Sequence, residues 1–235
     1  MYRAVIFDLF ETLITDWGHE KYTKRKMSDD LCIPFSAFSQ VWEQLHLQQY
    51  RGGITFEDSI RYVCRQCGVP AEEETIRHMT ELRKKTKAAC FDCLHPDILP
   101  MLRSLRERGY KLCLLSNCSG EEVETVRDSV LAPLFDECIL SHETGLCKPE
   151  TAIYRLAADR LGAAPADCVF IGDGGSRELY GALEAGMHPH RALWYICQMP
   201  DPIREQPEFP VLKAPSDVLR ILPGKRSDSE EKRHG

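Results

Sequence analysis

Four short stretches of the chain carry side chains able to handle a phosphoryl or similarly charged group. They are Asp8 in Val5-Ile6-Phe7-Asp8-Leu9-Phe10-Glu11-Thr12-Leu13, the pair Ser116-Asn117, Lys148, and Asp173 with Glu178 close behind. A carboxylate can attack phosphorus to give an acyl phosphate, and hydroxyl, amide and ammonium donors can hold the oxygens that carry the developing charge. In that scheme Asp8 is the nucleophile, Ser116 and Asn117 donate to the phosphoryl oxygens, and Lys148 neutralises charge while fixing Asp8. Asp173 holds Mg²⁺, with Glu178 as a direct or water-mediated ligand, because that ion prefers hard oxygen donors.

The elements that must position these groups are strands. Val5-Ile6-Phe7 runs straight into Asp8, the pattern of a buried parallel strand that delivers a carboxylate at its carboxyl end. Lys111 to Leu115 reads as a strand ending at Ser116-Asn117, Cys138 to Leu140 as a short one, and Cys168 to Ile171 as one ending at Gly172-Asp173. Arg191 to Ile196 makes a last strand. Helices alternate with them over Pro96 to Arg108, Glu121 to Arg127, Thr151 to Leu161 and Arg177 to Ala185, which implies an α/β fold around a parallel sheet.

Between the first strand and this alternation lies a region without strand character, from about Asp16 to Asp92. Its apolar residues recur at helical spacing: Phe38, Val41, Trp42 and Leu45, then Phe56, Ile60 and Val63, then Ile76, Met79 and Leu82. Thr55 is an N-cap ahead of Phe56, and Gly68-Val69-Pro70 stops that helix. An inserted bundle of about four helices is expected, with Trp42 in its core. Beyond Pro207 only Pro215 to Leu222 reads as helical, and residues 224–235 read as a disordered tail.

The 235 residues carry a net charge of −6 with no basic patch, so nucleic acid is not an expected partner, and a small molecule is. The apolar run at the amino terminus is broken by Asp8, which fits neither a signal peptide nor a membrane span, so a cytoplasmic location is expected. Eleven irregularly spaced cysteines do not resemble a disulfide framework. Cys113, Cys138, Cys168 and Cys197 read as small core residues, while Cys64, Cys67, Cys90 and Cys93 form two C-x-x-C pairs for which reduced, unligated thiols are the expectation over a zinc site. His188-Pro189-His190 reads as a surface loop.

Taken together, Phe7-Asp8-Leu9-Phe10-Glu11-Thr12-Leu13, Leu114-Leu115-Ser116-Asn117, Gly145-Leu146-Cys147-Lys148-Pro149-Glu150 and Phe170-Ile171-Gly172-Asp173-Gly174-Gly175-Ser176-Arg177-Glu178-Leu179 resemble, in order and spacing, the four motifs of the haloacid dehalogenase superfamily of hydrolases. The resemblance implies a Rossmann-like core of residues 1–15 and 93–223 and a helical cap of residues 16–92, with substrate facing Asp16 to Lys26 and Arg51 to Thr55. It also implies that Asp8, the Phe10 backbone carbonyl, Asp173 and Glu178 hold the metal, and that Thr12, Ser116, Asn117 and Lys148 face the substrate.

One position departs from the phosphatase branch, which has a second aspartate two residues after the nucleophile; here that residue is Phe10. Losing a general acid/base group costs about 10²- to 10⁴-fold in rate. Glu11 is adjacent, but in an extended segment it would point the other way. An aromatic residue at this position resembles the metal-independent 2-haloacid dehalogenase branch, whose cap supplies an arginine; Arg51, Arg61 and Arg65 are candidates for it. A Mg²⁺-dependent phosphatase acting on a small metabolite is the favoured expectation, a dehalogenase the second, and an inactive binding protein the third.

Overall fold

Strand β1 (Ala4–Phe7) lies at the centre of a six-stranded parallel sheet in a computed structural model that describes residues 2–195 and 206–224. The chain leaves it through a helical region made of α1 (Lys24–Asp30), α2 (Phe35–Glu43), α3 (His46–Tyr50), α4 (Phe56–Cys67) and α5 (Glu73–Ala88). It then runs through α6 (Ile98–Glu107), β2 (Lys111–Ser116), α7 (Gly120–Arg127), β3 (Glu137–Leu140), the single turn α8 (Ser141–Thr144), α9 (Thr151–Arg160), β4 (Cys168–Gly172) and α10 (Glu178–Glu184). Strands β5 (His188–Ala192) and β6 (Val211–Leu212) and helix α11 (Val218–Ile221) complete the described chain. Strand order is β3-β2-β1-β4-β5-β6, so the winding reverses between β1 and β4. In open α/β sheets that reversal leaves a crevice beyond the strand ends, and Asp8 and Asp173 flank it.

Every residue of β1 is fully buried, because both faces of the sheet are covered. Val5 and Phe7 pack with Ile98, Met101 and Leu105 of α6, whereas Ala4 and Ile6 pack with Tyr154 and Ala157 of α9 and Ala182 of α10. This division follows the two-residue alternation of strand side chains. The register pairs Phe7 with Leu114 on one side and Ile171 on the other, so the residues that follow each strand emerge at one level.

The helical region closes on its own cluster, which includes Met27, Phe38, Trp42, Phe56, Ile60 and Met79. Trp42 stacks on Phe38 at 5.4 Å and meets Phe56 edge-on at 5.7 Å, so it is core, as its spacing indicates. Thr55 Oγ1 accepts the Asp58 N–H at 3.0 Å, and Gly68 ends α4 at φ +69°, a conformation that favours glycine. Five helices stand where about four are expected, since Lys24–Asp30 and His46–Tyr50 are too short to carry a clear apolar period.

Two further expectations give way. His188-Pro189-His190 is not a loop but the first half of β5, paired to β4 through Val169, Phe170 and Ile171. A proline fits there because β6 pairs only with Arg191 and Ala192 and leaves that stretch as an edge. Strand β6, two residues long, has no sequence pattern to announce it. Ile196, Cys197 and residues 225–235 of the tail lie outside the described residues. Among the described residues no helix is long and apolar enough to cross a membrane.

The packing makes a direct prediction. Ile6→Ala, at a fully buried position in the central strand, lowers unfolding free energy by roughly 2–5 kcal/mol in denaturant melts. Val130→Ala, at a residue 59% exposed, changes it by less than about 0.5 kcal/mol.

Candidate active site

Asp8 leaves β1 at the crevice, with its backbone N–H donating to Ile171 O at 2.9 Å. The chain then turns instead of continuing as a strand: Leu9 O accepts from the N–H groups of Leu13 and Ile14 at 2.8 and 3.0 Å, and Glu11 takes φ +58°. That turn brings Thr12 back to Asp8, where its hydroxyl donates to Asp8 Oδ2 at 3.0 Å. The other carboxylate oxygen, Oδ1, accepts from Lys148 Nζ, and the same ammonium donates to Glu178 Oε2 at 2.5 Å. Glu178 Oε1 in turn accepts the Gly174 N–H at 3.1 Å, and Asp173 Oδ1 accepts the Gly175 N–H at 2.9 Å.

Sequence reasoning brings Asp8, Lys148, Asp173 and Glu178 to one place, and there they stand, all buried. Two residues expected to face the substrate, Thr12 and Asn117, hold other residues of the cluster. Thr12 is fully buried and bonded to Asp8. The Asn117 side chain clamps the Lys148 backbone, donating from Nδ2 to its carbonyl at 3.0 Å and accepting its N–H at Oδ1 at 2.8 Å. Thr12 thus braces Asp8 and Asn117 braces Lys148, and Asn117 also lines the crevice. Ser116, at the end of β2, is buried and its hydroxyl lies 3.4 Å from Asn117 O.

Electrostatically the site has more negative charge than its lysine balances. Burial works against the Lys148 ammonium, but the Asp8 and Glu178 carboxylates outweigh it and hold its pKa above the ordinary lysine value. Burial, reinforced by the charge of Asp8, raises the Asp173 carboxyl to about 6. The same two causes drive Glu178 upward, with Lys148 opposing them. Donor oxygens of Asp8, Asp173 and Glu178 lie within 4.8 Å of one another, a spacing that one small cation spans.

The crevice, of about 300 Å³, is roofed by the helical region. Tyr50 of α3 and Arg83 and Lys87 of α5 line it together with Phe10, Glu11, Asp16, Trp17 and Lys21. Lys87 Nζ stands 4.3 Å over the Phe10 ring and pairs with Asp16 and Glu122 at 3.0 Å each. Arg83 pairs with Glu121 at 3.1 Å and Glu122 at 3.6 Å. Burial penalises the Glu122 carboxylate, but Lys87 and Arg83 reverse the effect and hold its pKa below the ordinary value.

Arg83 and Lys87 are absent from the sequence-based site, because charges on a helix ordinarily mark a solvated face. Their spacing of four residues on one face, opposite the consecutive Glu121-Glu122, is the signal that could have found them. Arg51 and Arg61 lie elsewhere, paired to Glu150 and to Asp58 and Glu73, and Arg65 is exposed. The Arg51–Thr55 stretch does not line the crevice. Glu11 does line it, because the segment is turned rather than extended; its carboxylate accepts from Thr15 Oγ1 at 2.6 Å and the Asp16 N–H at 2.9 Å.

A doubly wound parallel sheet with an acid–lysine cluster at its switch point marks a ligand site of the α/β class, and comparison with known proteins gives the family. Residues 2–186 match the haloacid dehalogenase-like hydrolases, and the chain belongs to that family. It is 36% identical over 193 residues to a glyceraldehyde 3-phosphate phosphatase of Methanopyrus kandleri, covering 80% of this chain and 82% of that protein. It is 24% identical over 180 residues to (S)-2-haloacid dehalogenase 4A of Burkholderia cepacia, covering 72% and 74%. The solved structure of a 2-haloacid dehalogenase from Pseudomonas syringae pv. Tomato DC3000 superposes with a TM-score of 0.71 at 18% identity, covering 94% of this chain and 98% of that one.

The charged roof can be tested separately from the chemistry. Glu122→Gln leaves Arg83 and Lys87 without their shared buried partner and lowers stability by roughly 3–5 kcal/mol in chemical denaturation. Arg61→Gln, which removes only exposed pairs, produces no resolvable shift in the same melts.

Proposed function

We propose that the protein is a magnesium-dependent phosphatase that hydrolyses a small phosphorylated metabolite through an aspartyl phosphate on Asp8. The observation that carries this reading is the buried trio Asp8, Asp173 and Glu178, in which Asp8 and Glu178 share Lys148 as their salt-bridge partner among the described residues. The upward shifts of Asp173 and Glu178 fit a site built for one more cation, and its all-oxygen donor set fits Mg²⁺. Asp8, Asp173, the Phe10 carbonyl and Glu178, directly or through water, would hold that ion, which supplies positive charge against the phosphoryl oxygens.

In the first step an Asp8 carboxylate oxygen attacks phosphorus, the ester P–O bond breaks and the leaving oxygen takes a proton from water to depart as the alcohol. Water, giving its proton to solvent, then attacks phosphorus, breaks the bond to the Asp8 oxygen and releases inorganic phosphate. Thr12 holds Oδ2 and Lys148 holds Oδ1, so the nucleophile is oriented at both ends. Asn117 fixes the loop that carries Lys148, and Ser116 is the hydroxyl at the end of β2 nearest in sequence to that clamp. Residues 16–92 act as a cap, hinged near Thr15 and Phe91 to Pro96, with α5 closing the crevice while the phosphoryl group is transferred. The similarity to the Methanopyrus phosphatase supports this choice within the family. The ten described cysteines are all unbridged, which suits a reducing cytoplasm.

Phe10 favours a second reading, a metal-independent dehalogenase, because a halide leaves without a proton. Against it, Asp173 and Glu178 would then have no task, and Arg83, the arginine lining the crevice, is already held by Glu121 and Glu122.

The readings separate in one assay series, with phosphomonoesters plus Mg²⁺ in one arm and 2-haloacids plus chelator in the other. Phosphate release is expected, abolished by Asp8→Asn and by EDTA and restored by Mg²⁺. Chelator-resistant halide release would overturn the proposal in favour of the dehalogenase, and silence in both arms would favour a binding protein. Phe10→Asp supplies the missing proton donor and raises phosphatase turnover by about tenfold or more. An unchanged rate with intact metal binding counts against the assignment.

A further inference from the structure

We propose that Asp16, His19, Cys90 and the main-chain carbonyl of Thr86 form a second metal site, tetrahedral and selective for zinc(II), where the chain enters and leaves the helical region. Cys90 Sγ lies 3.1 Å from Asp16 Oδ1, 3.5 Å from His19 Nε2 and 3.8 Å from Thr86 O, and His19 Nε2 lies 3.0 Å from Thr86 O. For zinc with bonds of about 2.3 Å to sulfur and about 2.0 Å to nitrogen or oxygen, a regular tetrahedron has edges of about 3.5 Å to sulfur and about 3.3 Å between the lighter donors. Four of the six edges are thus already within about half an ångström of that shape.

The thiol carries one hydrogen and Nε2 at most one, which serve the 3.1 Å contact with Asp16 Oδ1 and the 3.0 Å contact with Thr86 O and leave Sγ facing Nε2 at 3.5 Å and Thr86 O at 3.8 Å with no hydrogen between them. A cation at the centre satisfies all four donors at once. Among the described residues His19 Nδ1 is buried without a partner, so the ring is held through Nε2, the nitrogen that faces the cluster.

Charge points the same way. One thiolate and one carboxylate neutralise a divalent ion, while Lys87 retains Glu122 at 3.0 Å and Arg83 retains Glu121 at 3.1 Å. Lys87 also holds Asp16, at 3.0 Å from Oδ2 and 3.3 Å from Oδ1, an outer contact that orients the carboxylate. The mixed nitrogen, sulfur and oxygen donors select zinc over magnesium, which separates this site from the all-oxygen trio at Asp8. Asp16 and His19 precede α1, whereas Thr86 and Cys90 lie at the end of α5 and in the 3₁₀ turn after it, so one ion would tie together both chain crossings. Cys64 lies in the helical cluster and Cys90 in the core cluster, so the two C-x-x-C pairs do not assemble into one site.

Cobalt(II) serves as the spectroscopic probe. With excess Mg²⁺ present to occupy the all-oxygen trio, the reduced, chelator-treated full-length protein is expected to develop a thiolate-to-cobalt charge-transfer band and tetrahedral visible absorption that saturate at one equivalent of cobalt. Zinc should displace the cobalt and abolish both absorptions. Cys90→Ser should lose the charge-transfer band, His19→Gln should shift the visible bands, and Cys64→Ser should change neither. The proposal is overturned if the wild-type protein lacks the band at stoichiometric cobalt, or if the band survives in Cys90→Ser. Should Cys90→Ser fail to fold, an unchanged spectrum in His19→Gln, at a half-buried position, decides against it equally.

Discussion

The buried ammonium of Lys148, shared between Asp8 and Glu178, is the interaction on which the arrangement depends. Asp8 at the end of β1 and Glu178 at the start of α10 bring like charges together in a buried site. A single lysine from a third segment stands between them and donates to both. Its own place is fixed from the backbone, because Asn117 grips the peptide groups on either side of its Cα. The sheet supplies the rest: β1, β2 and β4 run parallel and in register, so three loops meet at one height.

The helical region completes the pocket through charge rather than through a shared apolar core. Its hydrophobic cluster is separate from those of the sheet, and α5 meets α7 through Arg83, Lys87, Glu121 and Glu122. Helix α7 begins just after Ser116-Asn117, with Ser119 and Glu122 forming a capping box. Glu122 therefore caps the helix that follows Ser116-Asn117 and also receives the roof of the site. Sequence changes on α5 can in this way reach the start of α7 and the Ser116-Asn117 turn that precedes it.

What could be read from the sequence follows from periodicity and from strand ends. Buried strands advertise themselves as apolar runs, and Asp8, Lys148, Asp173 and Glu178 sit where such runs stop or where a motif places them. The roles of Thr12 and Asn117 were not legible, because a hydroxyl or amide beside a nucleophile looks the same whether it faces the substrate or braces a neighbour. Glu11 was misdirected by the assumption of an extended segment, which its left-handed φ removes. Strand β6 exists only through its pairing with Arg191 and Ala192, a tertiary effect that two residues cannot encode.

The ion pairs that seat the roof carry a thermal consequence. The hydration of charged groups becomes less favourable as temperature rises, so the cost of keeping Arg83, Lys87 and Glu122 out of water shrinks with heating, whereas apolar burial levels off. Contact between α5 and α7 should accordingly weaken less on warming than the apolar packing within either half, and the entrance to the pocket should loosen late in the approach to melting.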